Sequence, residues 1–169
     1  MNVMDAGLLI ARMVVGLVMA AHGAQKAFGW FGGYGLNGTA GFMESLGFRP
    51  GRFFAATAAG TEMAGGVLLA LGLFGPLGPA LIVSVMIVAI ATVHWTHGLF
   101  AQNNGFELPL VYAVTAGAIA LIGNGAYSLD ALLSLTWAPE VVYAVLALGI
   151  VGGFANLAIR KTGPAPAHV

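Results

Sequence analysis

Glu62 is the only charged residue within residues 53–93, which are otherwise apolar or small. The sequence GPLGP at 75–79 breaks this stretch, which is long enough for two membrane spans of about 20 residues each. Glu62 is then expected ~13 Å into its helix, near the middle of a hydrocarbon layer ~30 Å thick. A carboxylate at that depth costs several kcal/mol unless it is neutral or paired, which makes Glu62 a candidate for function.

Arg12 interrupts the first apolar segment and is the natural partner for Glu62. The depths of Arg12 and Glu62 in the hydrocarbon layer, counted from the expected helix ends, differ by only ~7 Å. An extended arginine side chain covers this distance. We therefore expect Arg12 and Glu62 to face each other. The pair would either lock helix one to helix two, or contain a member that meets a substrate headgroup or relays a proton. Asp130 could reach Arg12 instead.

A second set of ionisable side chains falls at one end of the predicted helices. His22 and Lys26 lie one turn apart on one face of the first helix. His94 lies near the end of the third helix and Glu107 begins the fourth. We predict a functional pocket at this end, with Glu62 deeper inside. The candidate catalytic residues are Glu62, His22 and Glu107, and the candidate cofactor-binding residues are Arg12, Lys26 and His94.

The histidines also suggest metal or haem chemistry. His22 and His94, on different helices at similar depth, could be the axial ligands of a haem, or could hold a metal together with Glu107. The simpler interpretation is interfacial histidines that bond a carbonyl or a carboxylate. The chain has no H-E-x-x-H, no paired E-x-x-H and no dense histidine cluster. We therefore predict no metal site, leave the cofactor unassigned, and rank a quinone above haem or a metal.

Composition places the chain in a membrane. Hydrophobic residues make up 59% and charged residues 7%, whereas about a quarter of a soluble domain is charged. The net charge is zero, so nothing indicates a nucleic-acid partner. Cysteine is absent, which excludes disulfides, thiolate nucleophiles and Cys-ligated clusters from this sequence.

The apolar runs predict an all-α integral membrane protein, a four-helix transmembrane bundle plus a fifth, C-terminal transmembrane helix. The predicted spans are 6–28, 53–74, 77–97, 107–123 and 140–160. In this scheme residues 1–130 are the core, with a long connector at 29–52 as a possible lid over the pocket. Residues 131–161 complete a short interfacial helix and add the fifth span, and 162–169 form a disordered tail.

Two further patterns concern packing. Small residues on the second span predict a face for close helix approach, with ligand approach as the alternative; they are Ala58, Ala59, Gly65, Gly66 and Gly72. Ser128 is typical of an N-cap for a short helix over 129–135, and Asp130 follows it.

Basic residues predict the orientation. With five spans, one side carries Lys26, Arg49, Arg52, Arg160 and Lys161. The positive-inside rule then puts the C-terminus in the cytoplasm and the N-terminus outside the cell membrane, with the pocket at the cytoplasmic end.

Together these residues resemble the DoxX family of small bacterial membrane proteins. The motifs that carry the resemblance are Arg12, His22-Gly23-x-x-Lys26, Leu46-Gly47-x-x-Pro50, Glu62-x-x-Gly65-Gly66-x-Leu68-Leu69-x-x-Gly72, Pro76, Asn104-Gly105-x-Glu107 and Gly125-x-x-Ser128-Leu129-Asp130. The resemblance implies a four-helix membrane core, with the fifth span as an addition. The founding members of that family are membrane subunits of a thiosulfate:quinone oxidoreductase, and another member resembles a membrane anchor of an oxidant-defence complex.

Three functions follow as hypotheses. The first is a redox-linked membrane subunit that binds a quinone-like molecule, with His22, Lys26 or Glu107 donating hydrogen bonds or protons and Glu62 relaying them. The second is a scaffold or accessory subunit that docks into a larger membrane complex. The third is a small solute or metal transporter gated by Glu62 and Arg12. The expected partners are membrane lipid and another protein subunit or a second copy of this chain.

Overall fold

A computed structural model describes residues 2–161, so the predicted disordered tail at 162–169 lies outside the described residues. The described chain is helical and contains no strand. Its α-helices are α1 (Val3–Phe28), α2 (Gly35–Ser45), α3 (Gly51–Leu71), α4 (Leu77–Ala89), α5 (Glu107–Ile122), α6 (Leu129–Leu132) and α7 (Pro139–Ala158). A π turn at Ile90–His94 and a 3-10 turn at Trp95–His97 extend α4.

Helix length and composition confirm the predicted fold class, an all-α membrane bundle. Within residues 2–161, four helices are long and apolar enough to cross a membrane: α1, α3, α7 and α4 with its extension, Leu77–His97. The fifth predicted span, 140–160, corresponds to α7, whereas the fourth, 107–123, corresponds to α5, which has only 16 residues and a length of ~24 Å. Five crossings therefore remain a prediction.

Local sequence explains where the helices begin and end. The Asn2 side chain accepts a hydrogen bond from the backbone N–H of Met4 (3.0 Å) and caps α1. Gly72, with a φ of 63°, ends α3 in the left-handed conformation. Ser128 accepts from the Ala131 N–H (3.1 Å), which confirms the predicted cap, although α6 is shorter than expected.

Glycines set the register between α1 and α3, which run antiparallel. A Cβ placed on Gly66 would lie 2.5 Å from the Gly16 carbonyl oxygen, and one on Gly23 would lie 2.6 Å from the Ala59 carbonyl oxygen. The backbones can approach this closely only because these positions lack a Cβ. The predicted small face of α3 is therefore a packing face, and this crossing places Arg12 level with the C-terminal end of α3.

Helix α4 lies at the centre of the bundle and packs against α3, α5 and α7. Gly149 of α7 lies against Ala80, and Gly153 against Ser84, so α7 runs parallel to α4. After α7, the Lys161 N–H donates to the Gly47 carbonyl (2.9 Å), which brings the end of the described chain beside the turn before α3. The buried apolar core consists of Leu8, Val15, Met19, Leu69, Ile82, Met86, Ala116 and Ile119.

The long connector is ordered and mostly helical. It contains a 3-10 turn at Trp30–Gly32 and then α2, which packs against α1 and α3. The Thr39 hydroxyl donates to the Lys26 carbonyl (3.3 Å) and the Gly51 N–H donates to the Glu44 carboxylate (3.1 Å). The connector is thereby held over the end of α1 that carries His22 and Lys26.

Candidate functional site

The centre of the site is an ion pair between Lys26 and Glu62. The Lys26 ammonium donates to Glu62 Oε2 at 2.6 Å, and the two side chains are 27% and 4% exposed. Helical side chains lean toward the N-terminus of their own helix. Lys26 therefore reaches back into the bundle from the last turn of α1 and meets Glu62, which leans toward it from the middle of α3.

The predicted ion pair between Arg12 and Glu62 is wrong. Arg12 is fully buried, but its guanidinium donates to the carbonyls of Tyr127 (2.7 Å) and Ala70 (3.3 Å) near the opposite end of α3. In the antiparallel α1–α3 pair, the side chains of Arg12 and Glu62 lean in opposite directions, each toward its own N-terminus. The glycine crossing adds to this separation, because Ala70 lies two helical turns from Glu62.

A cavity of about 170 Å³ opens beside the ion pair, between α1, α3, α4 and α5. Four of the five side chains predicted for the pocket line it, namely His22, Lys26, Glu62 and His94. Tyr112 of α5, which we did not predict, also lines it and meets His22 edge to face with the ring centroids 6.2 Å apart. Its only sequence signal is that it is a polar-tipped ring in an apolar helix.

Within the described residues, each imidazole is hydrogen-bonded through Nδ1 alone. His94 Nδ1 lies 2.7 Å from the Asn104 carbonyl oxygen, which can only accept, so this nitrogen donates. His22 Nδ1 lies 3.2 Å from Gln25 Oε1, and the Gln25 amide is oriented because its NH₂ donates to the Phe31 carbonyl (3.3 Å). In the neutral rings Nε2 is therefore left as an acceptor.

The π turn in α4 brings His94 to the cavity wall. In a regular α-helix, His94 would point about 80° away from Met86, which also lines the cavity. One extra residue in a π turn removes about 100° of rotation and returns His94 to the same face to within ~20°. This local departure from α-helical geometry was not predicted.

The structure corrects the position predicted for Glu107. The carboxylate does not line the 170 Å³ cavity; it accepts a hydrogen bond from the Ala101 N–H (2.8 Å) and closes the loop between α4 and α5. That loop carries Asn104, whose carbonyl holds His94. Glu107 therefore acts as a positioning residue, one hydrogen-bonded loop away from the imidazole.

A second polar centre lies near the other end of the bundle, around Asp130. Its carboxylate accepts hydrogen bonds from the N–H groups of Phe74 (2.8 Å) and Gly75 (2.7 Å). The Asn124 amide and the Trp137 indole donate to it as well, both at 2.9 Å. Asp130 attracts Arg12 electrostatically, but the two side chains form no direct ion pair. This partly agrees with the alternative expectation from the sequence, in which Asp130 is the partner of Arg12.

The two polar centres are separate. Val15, Met19 and Leu69 of the apolar core lie between their levels on α1 and α3. Within residues 2–161, no group of three or more histidine, aspartate or glutamate side chains is arranged to hold a metal ion. The arrangement at Lys26 and Glu62 instead offers hydrogen-bond donors, acceptors and exchangeable protons in a small cavity.

Fold and site together define a helical membrane protein with a buried ion pair in a polar cavity. Comparison with known proteins identifies the family: the profile of the DoxX family matches residues 7–95, more than half of the chain. The protein belongs to the DoxX family. It is 31% identical over 126 residues to a Bacillus subtilis (strain 168) protein named "Putative oxidoreductase CatD", covering 75% of this chain and 86% of that relative. No solved structure matches the chain.

Proposed function

We propose that this protein is a redox-linked membrane subunit that binds the ring of a quinone-like molecule in the cavity beside Lys26 and Glu62. The observation that carries the proposal is the ion pair itself, which borders a cavity that also presents two imidazoles. Ionisable groups inside a membrane bundle are rare and costly, which makes them candidates for function by default. The name of the Bacillus subtilis relative supports the redox assignment.

The size of the cavity suits one substituted ring. An engineered cavity of about 150 Å³ holds a benzene molecule, and the cavity here measures about 170 Å³. Lys26 has three N–H donors and gives one of them to Glu62. The others can bond a quinone carbonyl oxygen, while His94 Nε2 can accept from a hydroxyl of the reduced form.

The residues also suit the proton chemistry of the ring. Reduction of a quinone to a quinol consumes two electrons and two protons. Lys26, Glu62 and His22 can pass protons to the ring oxygens over hydrogen-bond distances. The sequence contains no cysteine, so we propose that the electrons come from a redox centre on a partner subunit.

Transport is less well supported. A solute path would have to connect the Lys26–Glu62 centre with the Arg12–Asp130 centre, and the apolar core lies between them. A scaffold function predicts a bound subunit and no bound ring, so the same purified sample distinguishes it from the proposed function.

We also propose that the protein lies in the cell membrane with its N-terminus outside and its C-terminus in the cytoplasm. The contact of Lys161 with Gly47 supports this orientation, because it groups the basic residues of the C-terminal end with those that precede α3.

The test is ring binding by purified protein in nanodiscs, titrated with a short-chain benzoquinone and a short-chain naphthoquinone. His94→Ala should weaken binding about tenfold, as expected for one lost hydrogen bond of ~1.4 kcal/mol. His97→Ala is the matched control, because His97 is exposed, outside the cavity, and bonded only locally. Absence of binding by the wild type, or equal losses in the two variants, would contradict the proposal.

A further inference from the structure

A second, larger cavity lies under the connector, on the other side of Lys26. It measures about 510 Å³ and lies between the end of α1 and helix α2. Its lining includes Gln25, Lys26, Tyr34, Thr39 and Phe42. We call it the vestibule. Tyr34 is 88% exposed and Phe42 48% exposed, so the vestibule is open at the surface.

Lys26 borders both the vestibule and the 170 Å³ cavity beside the ion pair, which we call the inner cavity. Its side chain is 27% exposed, whereas that of Glu62 is 4% exposed. Within the described residues, its ammonium makes one hydrogen bond, to Glu62. The remaining N–H groups are therefore available to molecules in either cavity. The Lys26 side chain separates the vestibule from the inner cavity.

On the side away from the vestibule, the inner cavity is lined by apolar residues of α5. Leu108 of α5 lines it and is 52% exposed. Tyr112, one turn further along α5, lines it as well, and α5 packs only lightly against α1. An exposed leucine at the cavity wall, beside two apolar helices that pack only lightly together, is suited to the entry of a ring with an apolar chain from the lipid.

We propose that the ion pair is reached from two phases: a lipid-borne ring enters between α1 and α5, and water enters through the vestibule as far as Lys26. The vestibule is then an aqueous site that lets Lys26 exchange protons with the solution on its side of the membrane. The lipid side of this proposal rests on the proposed function, whereas the water side does not.

The absence of cysteine makes the water side testable by substituted-cysteine labelling. Lys26→Cys should react with a charged, membrane-impermeant methanethiosulfonate. Adding Phe42→Trp, which narrows the vestibule, should lower the rate several-fold. Adding Gly41→Trp should not, since Gly41 is outside the vestibule lining and its Cβ direction is open. If Lys26→Cys folds poorly, Lys26→Cys/Glu62→Gln leaves no unpaired carboxylate and serves as the same probe.

The lipid side is tested with Leu108→Cys. This variant should react with a lipid-soluble maleimide but not with the charged reagent, and a short-chain quinone should protect it. Labelling of Lys26→Cys by the lipid-soluble reagent alone, or equal rates with Phe42→Trp and Gly41→Trp, would overturn the water route. Labelling of Leu108→Cys by the charged reagent would overturn the lipid route. Loss of quinone protection alone would contradict the proposed function and leave the vestibule standing.

Discussion

At the scale of single residues, the Lys26–Glu62 pair is a costly feature of the bundle. Removing two charges from water costs several kcal/mol each, and their attraction offsets this only with good geometry and further hydrogen bonds. Here a single 2.6 Å hydrogen bond joins them, and Lys26 stays partly exposed. Such a pair adds little to stability by itself, which favours a role in binding.

The first prediction concerns the energetic coupling of this pair. Lys26→Met alone should cost ~3–5 kcal/mol, because it leaves the buried Glu62 carboxylate without its partner. Glu62→Gln alone should cost less, because the unpaired Lys26 is partly exposed. The double variant should recover much of that loss. These losses are measured as the thermal stability of each purified variant, with the folded fraction after heating monitored by size-exclusion chromatography. In the control pair, Arg12→Gln with Glu62→Gln, the two losses should add, because the Arg12 guanidinium lies near the C-terminal end of α3, two helical turns from Glu62. Recovery in the control but not in Lys26→Met/Glu62→Gln would refute the observed pairing.

The second prediction concerns Asp130. Its two oxygens accept four hydrogen bonds, including one from the Phe74 N–H at Oδ1 and one from the Gly75 N–H at Oδ2. Asp130→Asn replaces one acceptor by a donor, so at least one N–H loses its partner, and Arg12 loses a nearby negative charge. We expect a loss of ~1.5–3 kcal/mol in unfolding free energy.

The matched control for Asp130 is Asp5, which accepts one exposed hydrogen bond, from the Ala126 N–H (3.0 Å). Asp5→Asn should cost less than Asp130→Asn in the same denaturation assay. The reverse order would show that the Asp130 network does not stabilise the junction between α3, α4 and α6.

At the scale of helices, the crossing of α1 and α3 determines which side chains meet. The close approach at Gly16 and Gly66 sets the register, and the lean of side chains toward each N-terminus then sends Lys26 toward Glu62. The π turn of α4 has a similar effect on His94, since it rotates the imidazole onto the cavity face. The site is therefore assembled by helix geometry as much as by residue type.

The third prediction tests this crossing. Gly66→Ala would put a methyl group 2.5 Å from the Gly16 carbonyl oxygen and from the Ala20 nitrogen, so the helices must separate. We expect a cost of ~1–3 kcal/mol. Gly60→Ala, in the same helix, meets nothing within 4 Å and should be neutral or stabilising by about 0.5–1 kcal/mol. Melting curves of both variants in one detergent make the comparison, and equal melting temperatures would contradict the close packing.

At the scale of the whole molecule, polarity is concentrated near two ends of an apolar bundle. One end holds Lys26, Glu62 and the vestibule, and the other holds Arg12 and Asp130 in a hydrogen-bonded junction. This asymmetry suits a protein whose ligand site communicates with one side of the membrane.

The fourth prediction concerns topology. A reporter fused after Lys161 should be cytoplasmic, and one inserted at residues 123–125 should be external, because α5 and α7 are predicted to cross in opposite directions. Alkaline phosphatase and green fluorescent protein fusions report the two sides. An external reading after Lys161, together with an internal connector at 29–52, would exclude the fifth crossing.

The sequence by itself determined the membrane class, the long apolar helices, the family and four of the ten residues that line the cavity, namely His22, Lys26, Glu62 and His94. These features depend on local properties: apolar runs predict spans, and residues one turn apart, such as His22 and Lys26, share a helix face. The same reasoning identified Glu62, because a charge in a long apolar run is evident without knowing its neighbours.

Only the tertiary structure decided the partners of those charges. Depths counted from predicted helix ends placed Arg12 opposite Glu62, but the register of two helices joined by a long connector depends on where their backbones touch, here at Gly16 and Gly66. The structural role of Glu107 likewise depends on a loop that folds back on itself. Sequence spacing describes positions along one helix, and pairing between helices is a property of their packing.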